Sequence, residues 1–409
     1  MAYRTFVIPR TIMSGPGALE GLSTVQGRRV LIVTDPGIRA LGLVERVEKI
    51  VKKNGAETAA YDKVEHDPSR ETVWSVFALA QSFKPDLIIG LGGGSPMDAG
   101  KAAWVLYEHP DLAERSFQDF IREVPRRELR KKARYVAIAT TSGTGSEVTS
   151  AAVITNHDIT PPVKAGFGSR QMVPDVAIVD PELTVSMPPG VTANTGLDAM
   201  VNASECYVLI SPSDMVDPLA LWSARTIQEW LPRAVDNGED LTARDKMHLA
   251  SMQAGIAFSN GRLGLVNAAA HEIGATFGIP HGLANAFMLC PVFAFLYPAY
   301  HNRLSGLASH LGVKGPDDTT RVNNFLNALD RFKERVGIPR AMKDSGLDEQ
   351  SFMAKVDRIS EVYVERLERI PVVKELTAAE RRSRGIPASS DDMKQLFIHA
   401  WNGTRAMLE

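Results

Sequence analysis

The stretch PDLIIGLGGGSPMDAGKAAWVL, from Pro85 to Leu106, decides the fold class. It begins as a short apolar run, continues as a glycine turn and ends with the composition of a helix, which predicts a strand, a turn and a helix in that order. Near-continuous apolar strands that alternate with helices indicate a largely parallel sheet covered on both faces. We therefore predict an α/β domain around this stretch.

The same alternation extends to both sides of the glycine turn. Further strands are predicted in Arg28–Asp35, Ala133–Ala139 and Val173–Leu183, and a helix in Leu43–Gly55. After about Pro188 the pattern changes, because every periodic run there is helix-like and no strand run is found. We predict two domains, an α/β dinucleotide-binding domain over 1–187 and an all-helical domain over 188–409.

The bulk composition excludes several classes of protein. The chain has 409 residues, 44% hydrophobic and 23% charged residues, and a formal net charge of −2, so no basic field attracts nucleic acid or a membrane surface. Two distant cysteines, Cys206 and Cys290, suit a reducing compartment better than a disulfide framework. No signal peptide and no apolar run long enough to span a bilayer are recognised, so we expect a cytoplasmic protein.

The glycine turn is a candidate phosphate site, because glycines let the backbone approach a phosphate and the N–H groups of a helix start can bind it. Ser95 is expected to cap the helix, with Pro96 at its first position and Asp98 in its first turn. The alternative is an ordinary strand-to-helix turn. The candidate cofactor-binding residues here are Gly92, Gly93, Gly94, Ser95 and Asp98.

Two further segments contain side chains that could bind a nucleotide cofactor. The hydroxyls of Thr140, Thr141 and Ser142 follow a strand and could bond phosphate or sugar oxygens, or only cap their own turn. Asp35 ends a strand, where a carboxylate can bind ribose hydroxyls and repel a 2′-phosphate, which would favour NAD over NADP. Its alternative role is to begin the turn at Pro36.

The helical half contains the stretch GLVNAAAHEIGATFGIPHG, from Gly264 to Gly282. Asn267 and His271 are four residues apart and share one face of a helix, whereas His281 lies in a predicted turn. These side chains could hold a metal, transfer a proton or only pack a core.

Six stretches occur in an order that resembles the iron-containing (group III) alcohol dehydrogenase family, and the resemblance covers about Arg28 to Val292. The resemblance implies a dehydroquinate synthase-like architecture, NAD(P) bound in the cleft between an α/β and a helical domain, and dimers. The stretches are GGGSPMDAGKA, TTSGTGSEVT, VPDVAIVDPEL, TGLDAMVNASECYV, AGIAFSNGRLGLVNAAAHEIG and IPHGLANAFMLCPV.

Members of this family usually bind iron or zinc through one Asp and three His. The matching positions here are Asp198, Asn202, Asn267 and His281, so two imidazoles are replaced by amides. Amide oxygen is a poorer ligand than imidazole for iron or zinc. We prefer a metal-free site in which the amides hydrogen-bond the substrate, and the alternative is a residual site for a harder cation. The family's further active-site His is matched by His271.

The resemblance implies an NAD(P)-dependent oxidoreductase that interconverts a small alcohol and its aldehyde or ketone, and Asp35 is the reason to expect NAD rather than NADP. His271 is the expected proton relay and His281 the group that polarises the carbonyl. Lys164 matches a family lysine near the cofactor ribose and substrate, and its alternative is an ordinary surface lysine. Arg262 could bind an acidic substrate or simply point to solvent. The alternatives are an ordinary metal-dependent alcohol dehydrogenase and a nucleotide-binding protein without turnover. We expect a homodimer or larger homo-oligomer.

Overall fold

The structure is a computed structural model, and it describes residues 5–158, 163–209 and 213–408. The chain divides into two compact units. The first comprises Met1–Met187 with Asn237–Asn260, and the second comprises Pro188–Asp236 with Gly261–Glu409. The predicted boundary at 187/188 coincides with one of these divisions. The assignment of all of 188–409 to the helical domain is wrong for Asn237–Asn260, which belongs to the first unit.

The first unit contains a six-stranded sheet in the order β1-β8-β5-β4-β2-β3, and every neighbouring pair is parallel. A separate antiparallel pair is formed by β6 and β7, which the sequence analysis did not identify. The strands are β1 Thr11–Ser14, β2 Arg29–Val33, β3 Glu57–Tyr61, β4 Leu87–Gly92, β5 Arg134–Ala139, β6 Ala151–Asn156, β7 Val163–Gly168 and β8 Val176–Val179. The helices of this unit are α1 Pro36–Ala40, α2 Leu43–Lys52, α3 Arg70–Phe83, α4 Gly94–Glu108, α5 Phe117–Glu123 and α8 Leu241–Asn260.

Both faces of the sheet are covered, which confirms the prediction of a doubly covered parallel sheet. Along β2, Leu31 and Val33 join one apolar core with residues of α3, α4 and α5. The alternating residues Val30 and Ile32 join a second core with residues of α2. This alternation follows from the two-residue period of a strand, so a strand buried on both faces is apolar throughout.

Helix α8 packs against the loop after β5 of the first unit, and its sequence alone did not predict this neighbour. A Cβ on Gly145 would lie only 2.6 Å from the Cα of Gly255 in α8, so loop and helix touch at two glycines. Farther along, His248 Nδ1 lies 3.0 Å from the Oγ of Ser142. A helical period shows that a face is buried but not which neighbour buries it.

The second unit is helical, and the part of it that the structure describes contains no strand, as predicted. Its helices are α6 Pro189–Leu209, α7 Asp217–Asp236, α9 Leu265–Phe277, α10 His281–His310, α11 Asp318–Arg335, α12 Glu349–Glu368, α13 Pro371–Lys374, α14 Ala378–Ser383 and α15 Ser390–Asn402. Among the described residues, α10 alone is long and apolar enough to cross a membrane, and 72% of its most apolar window is buried. The expectation of no such run is therefore wrong, and burial accounts for this helix as a core helix.

Candidate active site

The glycine turn after β4 and the hydroxyl-rich loop after β5 lie against each other. A Cβ on Gly94 would be 2.9 Å from a methyl carbon of Thr144, and one on Gly93 would be 3.4 Å from Thr141. Helix α4 begins here with Gly93 as its N-cap, and no side chain caps it. An uncapped helix start beside glycines and hydroxyls suits a phosphate.

Ser95 does not cap α4, which corrects the sequence-based expectation, because the helix begins one residue earlier at Gly94. The Ser95 hydroxyl instead accepts from the backbone N–H of Asp67 at 3.3 Å. The Asp67 carboxylate lies 2.7 Å from Lys164 Nζ, whose side chain is only 5% exposed. Lys164 is therefore held beside the glycine turn rather than free on the surface.

Asp98 and Lys101 of α4 hold the hydroxyl-rich loop in place. The Asp98 carboxylate accepts from Ser146 Oγ at 2.7 Å and from the backbone N–H of Val153 at 2.9 Å. Asp98 therefore supports the loop, and these contacts give no support to the direct cofactor contact expected for it. The fully buried Lys101 ammonium donates to the carbonyls of Ser146 at 2.6 Å and Thr149 at 3.0 Å.

The electrostatics of this region follow from burial. Burial lowers the pKa of Lys101 to about 8, although Asp98 and Glu147 oppose the shift. Burial also raises the pKa of Glu147 to about 7. Three ionisable groups, Asp98, Lys101 and Glu147, thus lie beside the candidate phosphate site, and Asp98 and Lys101 contact the loop after β5, to which Glu147 belongs.

Asp35 caps α1, because its Oδ1 accepts from the backbone N–H of Ile38 at 2.9 Å. Its other oxygen faces the glycine turn, since a Cβ on Gly92 would lie 3.2 Å from Asp35 Oδ2. The turn-initiating role is therefore present, and the carboxylate also lies beside the candidate phosphate site. Thr140 is buried and its N–H donates to the carbonyl of Gly92 at 3.0 Å.

Three helices of the second unit bring the family-equivalent positions together. Each helix contributes polar side chains four residues apart, which is the spacing of one helical face. They are Asp198 and Asn202 on α6, Asn267 and His271 on α9, and His281 and Asn285 on α10. Asp198, Asn202, Asn267 and Asn285 are buried, whereas the two histidines are half-buried.

Glu205 fixes the direction of the Asn267 amide. Asn267 Nδ2 donates to Glu205 Oε2 at 2.9 Å and to Asn202 Oδ1 at 3.2 Å. Burial raises the pKa of Glu205, and hydrogen bonds from Asn267 and from the backbone of Gly264 and Val266 oppose this shift. The ionised carboxylate only accepts hydrogen bonds, and the amide nitrogen of Asn267 faces it. The Asn267 oxygen consequently faces His281, with 3.2 Å between Oδ1 and Nε2.

The centre of the cluster contains an amide nitrogen. Asn285 Nδ2 lies 2.7 Å from Asp198 Oδ1, 3.3 Å from Asn267 Oδ1 and 3.2 Å from His281 Nε2. Burial raises the pKa of Asp198 to about 6, and hydrogen bonds from Asn285 and Asn202 oppose the shift. The atoms that would have to ligate a cation thus surround a hydrogen-bond donor.

These residues do not fit iron or zinc, whose ligand atoms lie about 2.0–2.3 Å from the metal and are mostly imidazole or thiolate. One imidazole remains, Asn202 Oδ1 already accepts from Asn267, and the Asn285 amino group fills the centre. A harder cation would require the Asn285 amide to turn its oxygen inward. Within the described residues, no group of three or more His, Cys, Asp or Glu could hold a metal.

The two histidines pair with each other. The rings of His271 and His281 are stacked, with centroids 4.7 Å apart and planes inclined by 30°. Imidazole is the side chain best suited to exchange a proton at neutral pH. Two adjacent, half-buried rings above a buried amide cluster can therefore donate to a carbonyl oxygen and move its proton.

Arg262 has a structural partner that the sequence analysis did not foresee. Its Nε donates to the carbonyl of Leu209 at 3.0 Å, and its Nη2 donates to the same oxygen. Leu209 ends α6, where carbonyls lack helical partners and a cation is favourable. This contact explains Arg262 without a substrate and removes support for its predicted role in binding acidic substrates.

Four residues of the candidate phosphate site and the amide cluster were not predicted from the sequence: Asp67, Lys101, Glu205 and Asn285. Helical spacing could have found three of them, because Lys101 follows Asp98 by three, Glu205 follows Asp198 by seven and Asn285 follows His281 by four. Asp67 had no such signal, since its contact with Lys164 joins two distant segments.

An α/β unit with a glycine-rich candidate phosphate site and a helical unit with a histidine pair are consistent with a nucleotide-dependent oxidoreductase. Family models agree: "Iron-containing alcohol dehydrogenase" matches residues 9–181, and "Fe-containing alcohol dehydrogenase family, C-terminal" matches residues 192–367. The chain belongs to the iron-containing alcohol dehydrogenase family. It is an NAD(P)-dependent oxidoreductase of the alcohol dehydrogenase class.

Individual relatives support this assignment over most of the chain. An NADPH-dependent butanol dehydrogenase of Clostridium saccharobutylicum is 38% identical over 98% of both chains. The 1-propanol dehydrogenase PduQ of Citrobacter freundii is 36% identical over 83% of this chain and 88% of its own. The crystal structure of a 1,3-propanediol oxidoreductase has a TM-score of 0.84 and 28% identity, and the match covers 98% of this chain and 100% of that one.

Proposed function

We propose that this chain interconverts small uncharged alcohols and their aldehydes with NAD(P) and without iron or zinc. The observation that carries the proposal is the position of Asn285 Nδ2 among Asp198 Oδ1, Asn267 Oδ1 and His281 Nε2. A hydrogen-bonded amide cluster takes the place that the family uses for its metal, and the half-buried histidines are left to contact the substrate.

The residues of the first unit fit a nucleotide cofactor, which supplies or accepts a hydride when it is bound. The uncapped start of α4, the glycine turn and Thr141 would bind its phosphates, and Asp35 would bind a ribose hydroxyl. Lys164, held by Asp67, is the cationic group that we assign to the cofactor site.

The histidines of the second unit supply the proton chemistry. As a carbonyl becomes an alkoxide its oxygen gains negative charge, and a nearby donor lowers the energy of that state. We assign this donor role to His281 and the delivery of the proton to its neighbour His271. The amides of Asn202 and Asn267 donate to Asp198 and Glu205, so they position His281 rather than bind the substrate oxygen.

A neutral substrate fits the charges of the cluster better than an acidic one. Asp198 and Glu205 are buried carboxyl groups near the histidines, and Arg262, the expected anion-binding residue, caps α6 instead. Like charges in a buried site repel an anionic substrate. The butanol and 1-propanol dehydrogenases named among the relatives suggest the substrate class.

The test is an assay of NADH- and NADPH-dependent reduction of propanal and butanal by protein treated with a chelator, with its metal content measured by plasma mass spectrometry. We expect turnover without stoichiometric metal, and loss of most turnover in His271→Ala. His310→Ala, which changes an exposed histidine at the end of α10, serves as the control. Activity that disappears with the chelator and returns with iron or zinc would support the ordinary metal-dependent enzyme instead.

We also propose a cytoplasmic homodimer, which light scattering after size exclusion would test. Both cysteines are free and buried, as suits a reducing compartment. The absence of nucleic-acid and membrane partners stays a prediction from the net charge.

A further inference from the structure

Lys164 is a cationic side chain that is almost fully buried, and a single carboxylate balances its charge. The side chain is 5% exposed, and Nζ lies 2.7 Å from Asp67 Oδ2. Within residues 5–158, 163–209 and 213–408, Asp67 is the one ion-pair partner of Lys164. Removing a charge from water is costly unless an opposite charge accompanies it, so Asp67 is what makes this position of Lys164 stable.

Asp67 is an ionised carboxylate with two donors beside it. His66 Nδ1 lies 3.2 Å from Oδ2, the same oxygen that contacts Lys164. Burial acts to raise the pKa of Asp67, but the hydrogen bond from His66 and the ammonium of Lys164 outweigh it and hold this pKa well below its usual range. Asp67 therefore carries a full negative charge at neutral pH and cancels the charge of Lys164.

The backbone of Asp67 is fixed beside the glycine turn by contacts that do not involve Lys164. Its φ is 59°, in the left-handed region that residues other than glycine seldom adopt. Its N–H donates to Ser95 Oγ at 3.3 Å, and its carbonyl accepts from Thr155 Oγ1 at 3.4 Å. Since Ser95 directly follows the glycine turn, the carboxylate is anchored to the segment that we assign to the cofactor phosphates.

The ion pair changes the kind of oxygen that Lys164 attracts. A lone ammonium attracts a phosphate through its net charge, whereas an ammonium 2.7 Å from a carboxylate has its charge largely cancelled a few ångströms further away. The ammonium has three hydrogens, and the Asp67 carboxylate accepts only part of them. The remaining hydrogens suit an uncharged hydroxyl oxygen, while the neighbouring carboxylate repels a phosphate.

We propose that Asp67 is a specificity-determining residue that neutralises Lys164, so that Lys164 binds a hydroxyl group of the cofactor and not a phosphate. The inference rests on the proposed function, because it assigns the ligand chemistry of Lys164 within the proposed cofactor site. The phosphates then belong to the glycine turn and the uncapped start of α4.

The test is Asp67→Asn in the full chain, with inorganic pyrophosphate as the probe. Asparagine has nearly the same shape and also tolerates a left-handed backbone, so the contacts with Ser95 and Thr155 can persist. The substitution leaves the charge of Lys164 uncancelled beside the glycine turn. We expect pyrophosphate to bind about 10-fold more tightly than to the wild type in isothermal titration calorimetry at low salt, and the gain to shrink as salt is added.

Two further variants separate this effect from a general change of charge. Asp158→Asn is the matched control, because it removes one carboxylate from an exposed ion pair with Arg70 and should leave pyrophosphate binding unchanged. Asp67→Asn with Lys164→Met replaces the ion pair by two neutral side chains. We expect the double variant to bind pyrophosphate as the wild type does, because neither protein has a net charge at this pair.

The double variant also decides the inference if Asp67→Asn alone does not fold, since it contains no unpaired buried charge. A 10-fold loss of its pyrophosphate affinity relative to the wild type would show that Lys164 binds phosphate, and would overturn the inference. An unchanged affinity in folded Asp67→Asn, or a gain that persists in the double variant, would overturn it as well. Wild-type protein that fails to bind NADH would overturn the proposed function, and the pyrophosphate titrations would still decide the inference.

Discussion

Asn202 and Asn267 stand at positions where the family resemblance predicts metal-binding imidazoles, and in the structure both form hydrogen bonds. An imidazole offers one lone pair to a cation, whereas an amide combines an acceptor with two donors and can bond to its neighbours. Here Asn267 bonds to Asn202 and Glu205, and Asn285 bonds to Asp198. The cluster pairs most of its polar atoms internally, although Asn285 Oδ1 is buried and has no hydrogen-bond partner among the described residues.

Restoring the imidazoles should restore metal binding. We expect Asn202→His with Asn267→His to retain close to one zinc per chain after dialysis, and the wild type to retain much less, because the restored set is one carboxylate and three imidazoles. Plasma mass spectrometry measures the content, and each single variant serves as a control. Stoichiometric zinc in the wild type would contradict the amide-cluster interpretation.

Asp35 joins two roles that a pair of substitutions can separate. Asp35→Asn keeps an oxygen for the N–H of Ile38 but removes the charge beside Gly92, so we expect the preference for NADH over NADPH to shrink without loss of stability. Asp35→Gly should shift cofactor preference similarly and weaken the cap of α1, by less than about 1 kcal/mol. Ratios of kcat/KM and thermal unfolding measure the two effects. An unchanged cofactor ratio in both variants would argue against a ribose contact.

At the scale of elements, α4 and the loop after β5 form one assembly. Lys101 Nζ donates to the carbonyls of Ser146, Thr149 and Ala151, at 2.6, 3.0 and 3.0 Å. A buried ammonium whose hydrogens all meet carbonyls and hydroxyls is costly to remove, since its partners stay buried without a donor. Lys101 of α4 thus holds in place the loop after β5, which contains the candidate cofactor-binding hydroxyls.

Lys101→Met should therefore weaken cofactor binding, although Lys101 is not assigned a direct contact with the cofactor. We expect the Kd for NADH to rise about 10- to 100-fold, because small displacements of a positioned loop have effects of that size. Fluorescence titration of NADH measures it. The control is Lys131→Met, which changes a lysine with a side chain 67% exposed. An unchanged Kd in a folded Lys101→Met protein would count against the bracing role.

At the scale of the whole molecule, buried carboxyl groups set a pH dependence of stability. Burial raises the pKa of Glu147 from 4.5 to about 7. Between these values the folded state keeps a proton that the unfolded state has lost, so the free energy of unfolding falls as the pH rises through this window. The contribution is fully present below pH 4.5.

Glu147→Gln removes this term, so the variant should gain stability relative to the wild type as the pH rises from 4.5 to 8. A pKa raised from 4.5 to about 7, with the opposing effect of Lys101 already included, corresponds to about 3 kcal/mol. Denaturant unfolding of both proteins across this range measures the difference. A stability difference that does not change with pH would show that Glu147 is ionised in the folded protein throughout.

The sequence determined the fold class because it rests on local pattern. The apolar runs of β2, β4, β5 and β8 and the helical periods after Pro188 are properties of short segments, and the structure confirms them. Helical spacing also predicted that Asp198 shares a helix face with Asn202, and Asn267 with His271. The equivalence of these positions to the family's metal ligands stays a prediction from the resemblance.

Only the tertiary structure decided what those residues do. It assigned α8 to the first unit, gave Arg262 to the end of α6 and placed Asn285 at the centre of the amide cluster. The direction of an amide depends on which donors and acceptors surround it. Here they come from the consecutive helices α9 and α10 and from α6, which is distant from both in sequence. Residue identity limits the chemistry that is available, whereas the orientation of its donors and acceptors arises only when distant segments pack together.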